Sequence, residues 1–256
     1  MNDPGAAVGP QTFCVSENLE TIPQDTQNAL NIMRRARPGG CTPLTSHILE
    51  IQRELTAMAP TLYANGQKVS IQIATDGLPS DMQGYSGRSH QDEFVQALRS
   101  LEGLPVWVVI RLCTDEEDVV NFYNELDNQL ELSMEVLDDF TGEAAEVYEC
   151  NPWLNYALPL HRMREFGHHA RVLDMLDERK LSKSELRDFC SLLFGEDNMD
   201  GVAEPNLEWY QFVKDVDRLL KNEQQQWNPI TKRLMPWIDL RSLNRLYSDK
   251  STCAIM

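Results

Sequence analysis

Residues 106–113 read Val-Trp-Val-Val-Ile-Arg-Leu-Cys, and this run limits the fold more than any other part of the chain. A near-continuous apolar, β-branched stretch of this length belongs to a strand covered on both faces, as in the parallel sheet of an α/β domain. A second β-prone run, Val-Ser-Ile-Gln-Ile-Ala-Thr at residues 69–75, precedes it, and residues 134–140 supply a candidate third. Segments of helical character lie around these strands, at residues 25–37, 43–59 and 91–101, and from a Thr114/Glu117 capping-box pattern to about residue 130. In the second of them Pro43 occupies the first turn, and Leu44, Ile48, Ile51 and Leu55 are spaced along one face. Strands alternating with long helices predict an α/β fold, a mostly parallel sheet with helices on both faces. Ligands of such sheets sit beyond the carboxyl ends of the strands, so the residues following 75 and 111 are the first to inspect.

Past residue 142 the pattern turns helical. Residues 143–148, 156–166, 172–178, 182–194 and 209–221 read as helices, the fourth with Ser182 and Glu185 as a capping box and Gly195 as its stop. Two Pro-marked turns, Trp227-Asn228-Pro229 and Pro236-Trp237-Ile238, precede a short helix at 240–246, and residues 11–15 form a short β-prone run near the start. The expected organisation is a flexible start (1–10), an α/β domain (11–141), a helical extension (142–227) and a basic tail (228–256). The tryptophan turns at Asn151-Pro152-Trp153 and Pro236-Trp237 are expected to pack the helical segment.

The chain has 256 residues and a formal net charge of −17. A field of that sign repels phosphate backbones and excludes nucleic acid as a natural partner. The charge is uneven. Lys232, Arg233, Arg241, Arg245 and Lys250 against Asp239 and Asp249 give residues 228–256 a side-chain sum of +3, which leaves −20 on the rest. Six scattered cysteines without a C-x-x-C pair fit reduced thiols inside a cell. The start has neither a basic nor an apolar signal region, and nowhere do about 18 apolar residues run together. The expectation is a cytoplasmic protein with peripheral membrane association.

Two motifs carry chemistry. In Ala74-Thr75-Asp76-Gly77-Leu78-Pro79-Ser80-Asp81 a carboxylate directly follows a strand, and the turn residues behind it lead the chain away. Oxygen ligands at such a crest suit a hard cation such as Mg²⁺. Upstream, Gly39-Gly40-Cys41-Thr42-Pro43 places a hydroxyl at the start of a helix. Together, and in this order, these pieces resemble the von Willebrand factor A (vWA) domain family. The family's metal-ion-dependent adhesion site combines a D-x-S-x-S run, a Thr in a glycine-rich loop and the Asp of a strand-terminal T-D-G. Thr42 matches the second element and Asp76 the third. No D-x-S-x-S run occurs, and only residues 11–15 precede the Thr loop as a strand, so the resemblance covers an N-terminally incomplete domain. It implies a metal site on Thr42 and Asp76, with Asp81 and Ser80 nearby, and a protein partner that offers a carboxylate to the metal.

The second motif is Cys253-Ala254-Ile255-Met256, a C-a-a-X prenylation box whose Met favours farnesyl. One prenyl chain anchors weakly and reversibly, and the basic tail adds attraction to an anionic leaflet. Other constellations are weaker. His161, His168 and His169 with Cys150 and Cys190 lack zinc-site spacing and are expected to pack or to lie on the surface. Residues 196–201 begin like an EF-hand loop, but Leu207 stands where its bidentate Glu belongs, so an acidic turn is expected. The reading that follows is a non-enzymatic interaction module, reversibly tethered by farnesyl on Cys253. The alternative is a metal-dependent hydrolase or phosphoryl-transfer enzyme that uses Asp76 and Asp81.

Overall fold

The structure, a computed structural model, describes residues 13–36, 41–81, 83–168 and 170–248, without the side chains of residues 127 and 128. In chain order the elements are α1 (Ile22–Arg35), α2 (Leu44–Ala64), β1 (Val69–Thr75), α3 (Arg88–Arg99), β2 (Val106–Leu112), α4 (Glu117–Asn124), α5 (Leu126–Gln129) and β3 (Met134–Leu137). There follow α6 (Phe140–Cys150), α7 (Leu158–Glu165), α8 (Arg171–Glu178), α9 (Lys183–Phe194), α10 (Trp209–Leu220), β4 (Gln226–Asn228), β5 (Arg233–Met235) and α11 (Leu240–Tyr247). The fold is α/β with a three-stranded parallel sheet in the order β1-β2-β3. Val108 to Arg111 pair in register with Met134 to Leu137. The β1 and β2 strands run together from the Val69 N–H···O Pro105 bond at one end to the Cys113 N–H···O Thr75 bond at the other. The β1 strand begins where the sequence places it, and β2 begins at Val106, one residue after the expected start at Pro105.

Several helices depart from expectation. The α2 helix runs on through Pro60 to Ala64 instead of stopping at residue 59. Pro60 costs it a backbone donor, which the burial of Leu55, Ala59 and Leu62 on one face offsets. The helix expected from Thr114 breaks in two around Glu125, and Glu116 occupies the cap of α4 with no side-chain cap bond, so the Thr114/Glu117 box does not form. Residues 138–140 are not strand: Asp139 caps α6, accepting from the N–H groups of Thr141 and Gly142. Residues 13–15 of the expected first strand are irregular, while residues 11 and 12 lie outside the described residues. The Ser182/Glu185 box forms with both bonds, and Gly195 ends α9 at φ +88°. Residues 196–199 make a short 3₁₀ turn, in keeping with an acidic turn.

The chain divides into two compact units. One comprises Met1–Val69, Asp76–Val106 and Asp115–Ser133, where α2 packs against α3 and Phe94, Leu98, Leu101 and Tyr123 are fully buried. The other comprises Ser70–Thr75, Trp107–Thr114 and Met134–Met256, so the strands belong with the helices from α6 onward, across the expected boundary at residue 141. Its core gathers Trp153, Phe189, Phe212, Leu173 and Leu243 around the α6–α8 and α8–α9 contacts. Trp153 and Trp237 are buried, as their turns suggested. Asn151 fixes the turn before Trp153. Its Nδ2 donates to Leu176 O at 2.8 Å and Arg179 O at 2.9 Å, and its Oδ1 accepts from Leu181 N and Trp153 Nε1 at 3.2 Å each. That fills every hydrogen-bonding position of a side chain with no solvent exposure. Among the described residues no helix is long and apolar enough to cross a membrane.

Candidate functional site

In the first unit, the loop after β1 and the loop before α2 meet. The Thr42 N–H donates to Ser80 Oγ at 2.7 Å, and the Ser80 N–H donates back to Thr42 O at 3.0 Å. This reciprocal pair joins segments 38 positions apart in sequence and buries Ser80. The buried Tyr123 donates its hydroxyl to Gly77 O at 3.0 Å, which holds the start of the loop. Asp81 then closes a turn. Its Oδ1 accepts from the N–H groups of Gln83 at 2.8 Å and Tyr85 at 2.9 Å, and its own N–H donates to Tyr85 O. The Tyr85 N–H, with Gln83 and the nearby His90 adding to it, holds the Asp81 carboxyl below the usual carboxylate range. Asp81 Oδ1 is therefore taken up by the turn, while Asp76 and Thr42 are not drawn into it. Asp76 is exposed, and among the described residues no hydrogen bond or ion pair involves its carboxylate. Gly39 and Gly40, on the other side of Thr42, lie outside the described residues, as do His169 and the whole Cys253-Ala254-Ile255-Met256 box.

The second unit holds a constellation that the sequence did not announce. Arg164, on α7, is 4% exposed and meets three carboxylates: Nε to Glu135 Oε1 at 2.6 Å, Nη1 to Glu143 Oε2 at 2.7 Å and Nη2 to Asp177 Oδ2 at 2.9 Å. Burial works to lower the pKa of its guanidinium, but Glu143, Glu135 and Asp177 outweigh burial and raise it, so Arg164 is cationic throughout. Desolvation pushes Glu143 up to about 7 against the pull of Arg164, and raises Glu135 and Glu146 as well. Oxygens of Glu143, Glu146 and Asp177 lie within 4.8 Å of one another, a spacing compatible with a shared cation. The Arg164 guanidinium already supplies positive charge to two of the three.

The network continues along α7. Arg164 Nη1 also lies 3.3 Å from the Tyr156 hydroxyl, which contacts His161 Nδ1 at 3.3 Å. Glu165 is held by Arg111 Nε at 2.8 Å and by Arg162, with His161 Nε2 at 3.4 Å from its carboxylate. Desolvation lowers the pKa of His161 against the pull of Glu165. His161 and Cys190 are thus buried packing residues, and Cys190, pushed up to about 12 by burial, is an unreactive thiol. Cys150 donates its thiol to Asp177 O at 3.0 Å.

Compared with protein-family models, with curated proteins and with solved structures, the chain matches none.

Proposed function

We propose that this chain is a protein-interaction module of the von Willebrand A type, without catalytic activity, held reversibly at a membrane surface by a farnesyl group on Cys253. One observation supports the interaction part: the Thr42–Ser80 pair, which joins the Thr loop to the loop that follows Asp76 and Gly77. The donor chemistry suits a hard divalent cation, since Asp76 keeps an exposed carboxylate that no other described residue bonds, and Thr42 offers a hydroxyl. Asp76 and Thr42 would hold Mg²⁺, which supplies a coordination position for a carboxylate of the partner protein. What supports the tether is the C-a-a-X sequence at 253–256 together with the +3 side-chain sum of residues 228–256. The test of the metal part is Asp76→Ala beside EDTA treatment in a pull-down from eukaryotic lysate. Partners that require Mg²⁺ and Asp76 support the mechanism, and a partner set unchanged by both treatments removes it.

A further inference from the structure

The β4–β5 ribbon is short, and an isolated ribbon of three-residue strands has little stability of its own. Here it is pinned. Asn155 Nδ2 donates to Gln226 O at 3.2 Å and to Met235 O at 3.3 Å, one acceptor from each strand, and its N–H donates to Trp237 O at 2.9 Å. The turn is fixed as well: Asn228 Oδ1 accepts from the N–H groups of Ile230 at 2.9 Å and Thr231 at 2.7 Å, and Lys232 takes the left-handed conformation at φ +56°.

Strand alternation then sorts the side chains. Asn228 is buried and Met235 half-buried, so their face turns inward. Trp227 and Leu234 are directly opposite each other in the register and occupy the other face, 50% and 62% exposed. Trp153, Trp209 and Trp237 in the same unit are all at most 8% exposed, so a half-exposed tryptophan is the exception in this chain. Lys232, at the turn, is exposed; Arg233 is exposed too, but as the partner of Asn228 it belongs to the opposite face of the ribbon. An indole and a leucine held outward on a pinned ribbon, with the Lys232 ammonium at the adjoining turn, match a headgroup layer. There the ring is soluble at the apolar boundary and the ammonium meets lipid phosphates.

We infer that the Trp227–Leu234 face of this ribbon docks on an anionic bilayer. The charge distribution favours a membrane over a protein groove: residues 228–256, which hold β5 and the turn and begin at the last residue of β4, carry +3 in a chain whose remainder carries −20, so the ribbon adjoins the segment that an anionic leaflet attracts. The inference shares a membrane with the proposed tether but rests on different residues, and it needs no lipid on Cys253.

The full chain made in bacteria, and therefore without farnesyl, is sedimented with phosphatidylcholine vesicles with and without phosphatidylserine, beside Trp227→Ala, Leu234→Ala and Lys232→Glu. The expected result is sedimentation that depends on phosphatidylserine, weakens at high salt and falls about tenfold with either apolar truncation, as the exposed area of each side chain implies. Lys232→Glu should weaken it too. The exposed Leu234 and Lys232 variants should keep the unfolding midpoint of the parent, which separates loss of docking from loss of fold, and Trp227→Ala is read beside its own midpoint because half of the ring is packed. No sedimentation of the parent chain, or equal sedimentation after Trp227→Ala, overturns the inference. So does Trp227-dependent capture of a protein without vesicle binding. The farnesyl reading is judged separately, by the mass of the chain from eukaryotic cells, so either can fail alone.

Discussion

Replacing Arg164 by Met keeps much of the buried volume and removes the cation that meets Glu135, Glu143 and Asp177. Each such contact is worth about 4 kcal/mol of Coulomb energy at an effective dielectric near 20. The net loss is smaller because the charges were already paying for desolvation, and removing one partner of a buried pair typically costs about 3–5 kcal/mol. The cost depends on pH. Glu143 titrates near 7 when folded against a usual value of 4.5, so the folded chain holds a proton that the unfolded chain releases between those values. Stability from this group is therefore greatest below about 4.5 and falls as pH rises through 7, by up to about 3 kcal/mol. Without Arg164 the ionised carboxylates repel one another unopposed, so Arg164→Met should cost more at pH 8 than at pH 5. Guanidinium unfolding followed by tryptophan emission reads the right unit, because all five tryptophans lie in it. A cost below about 1 kcal/mol at pH 8, or a larger cost at pH 5 than at pH 8, would refute the reasoning.

Gly167 has φ +79°, and a Cβ there would run into Ser70 Oγ and meet Trp107 Cδ1 at 3.1 Å, so Gly167→Ala should lower stability by about 1–3 kcal/mol in the same unfolding assay. Asn151→Ala orphans two carbonyls and two N–H donors in a dry environment and should cost about 3 kcal/mol or more, with a shifted Trp153 emission as its local signature. Asp76→Ala, at an exposed position whose carboxylate bonds no other described residue, should leave the stability within about 0.5 kcal/mol of the parent while abolishing the proposed Mg²⁺-dependent partner binding. Glu143→Gln should flatten the fall in stability between pH 5 and 8, which parallel denaturation curves of parent and variant would show.

The strands were legible because their signal is local: 69–75 and 106–112 carry enough β-branched apolar residues to fix themselves, and the structure keeps them. The Ser182 cap was legible for the same reason, as both of its bonds close within four residues. The extension of α2 through Pro60 was hidden, because a proline reads as a stop unless burial of the flanking face is known. The β4–β5 ribbon was hidden too, since three-residue strands show no periodicity and are held by Asn155, about 70 positions earlier. The Arg164 cluster is the clearest case. Its carboxylates come from β3, α6 and α8, nothing in their spacing marks them, and only burial turns ordinary charged residues into a network. Of the loop site, the sequence named Thr42, Asp76 and Asp81, and the structure joins Thr42 to Ser80 while assigning Asp81 to its own turn.

The most direct test of the tethered-module proposal is the intact mass of the full chain isolated from the membrane fraction of eukaryotic cells, with the peptide containing Cys253 sequenced by fragmentation. The predicted result is one farnesyl group on Cys253, lost together with membrane association in Cys253→Ser. A membrane-fraction chain that ends in unmodified Cys253-Ala254-Ile255-Met256 would contradict it.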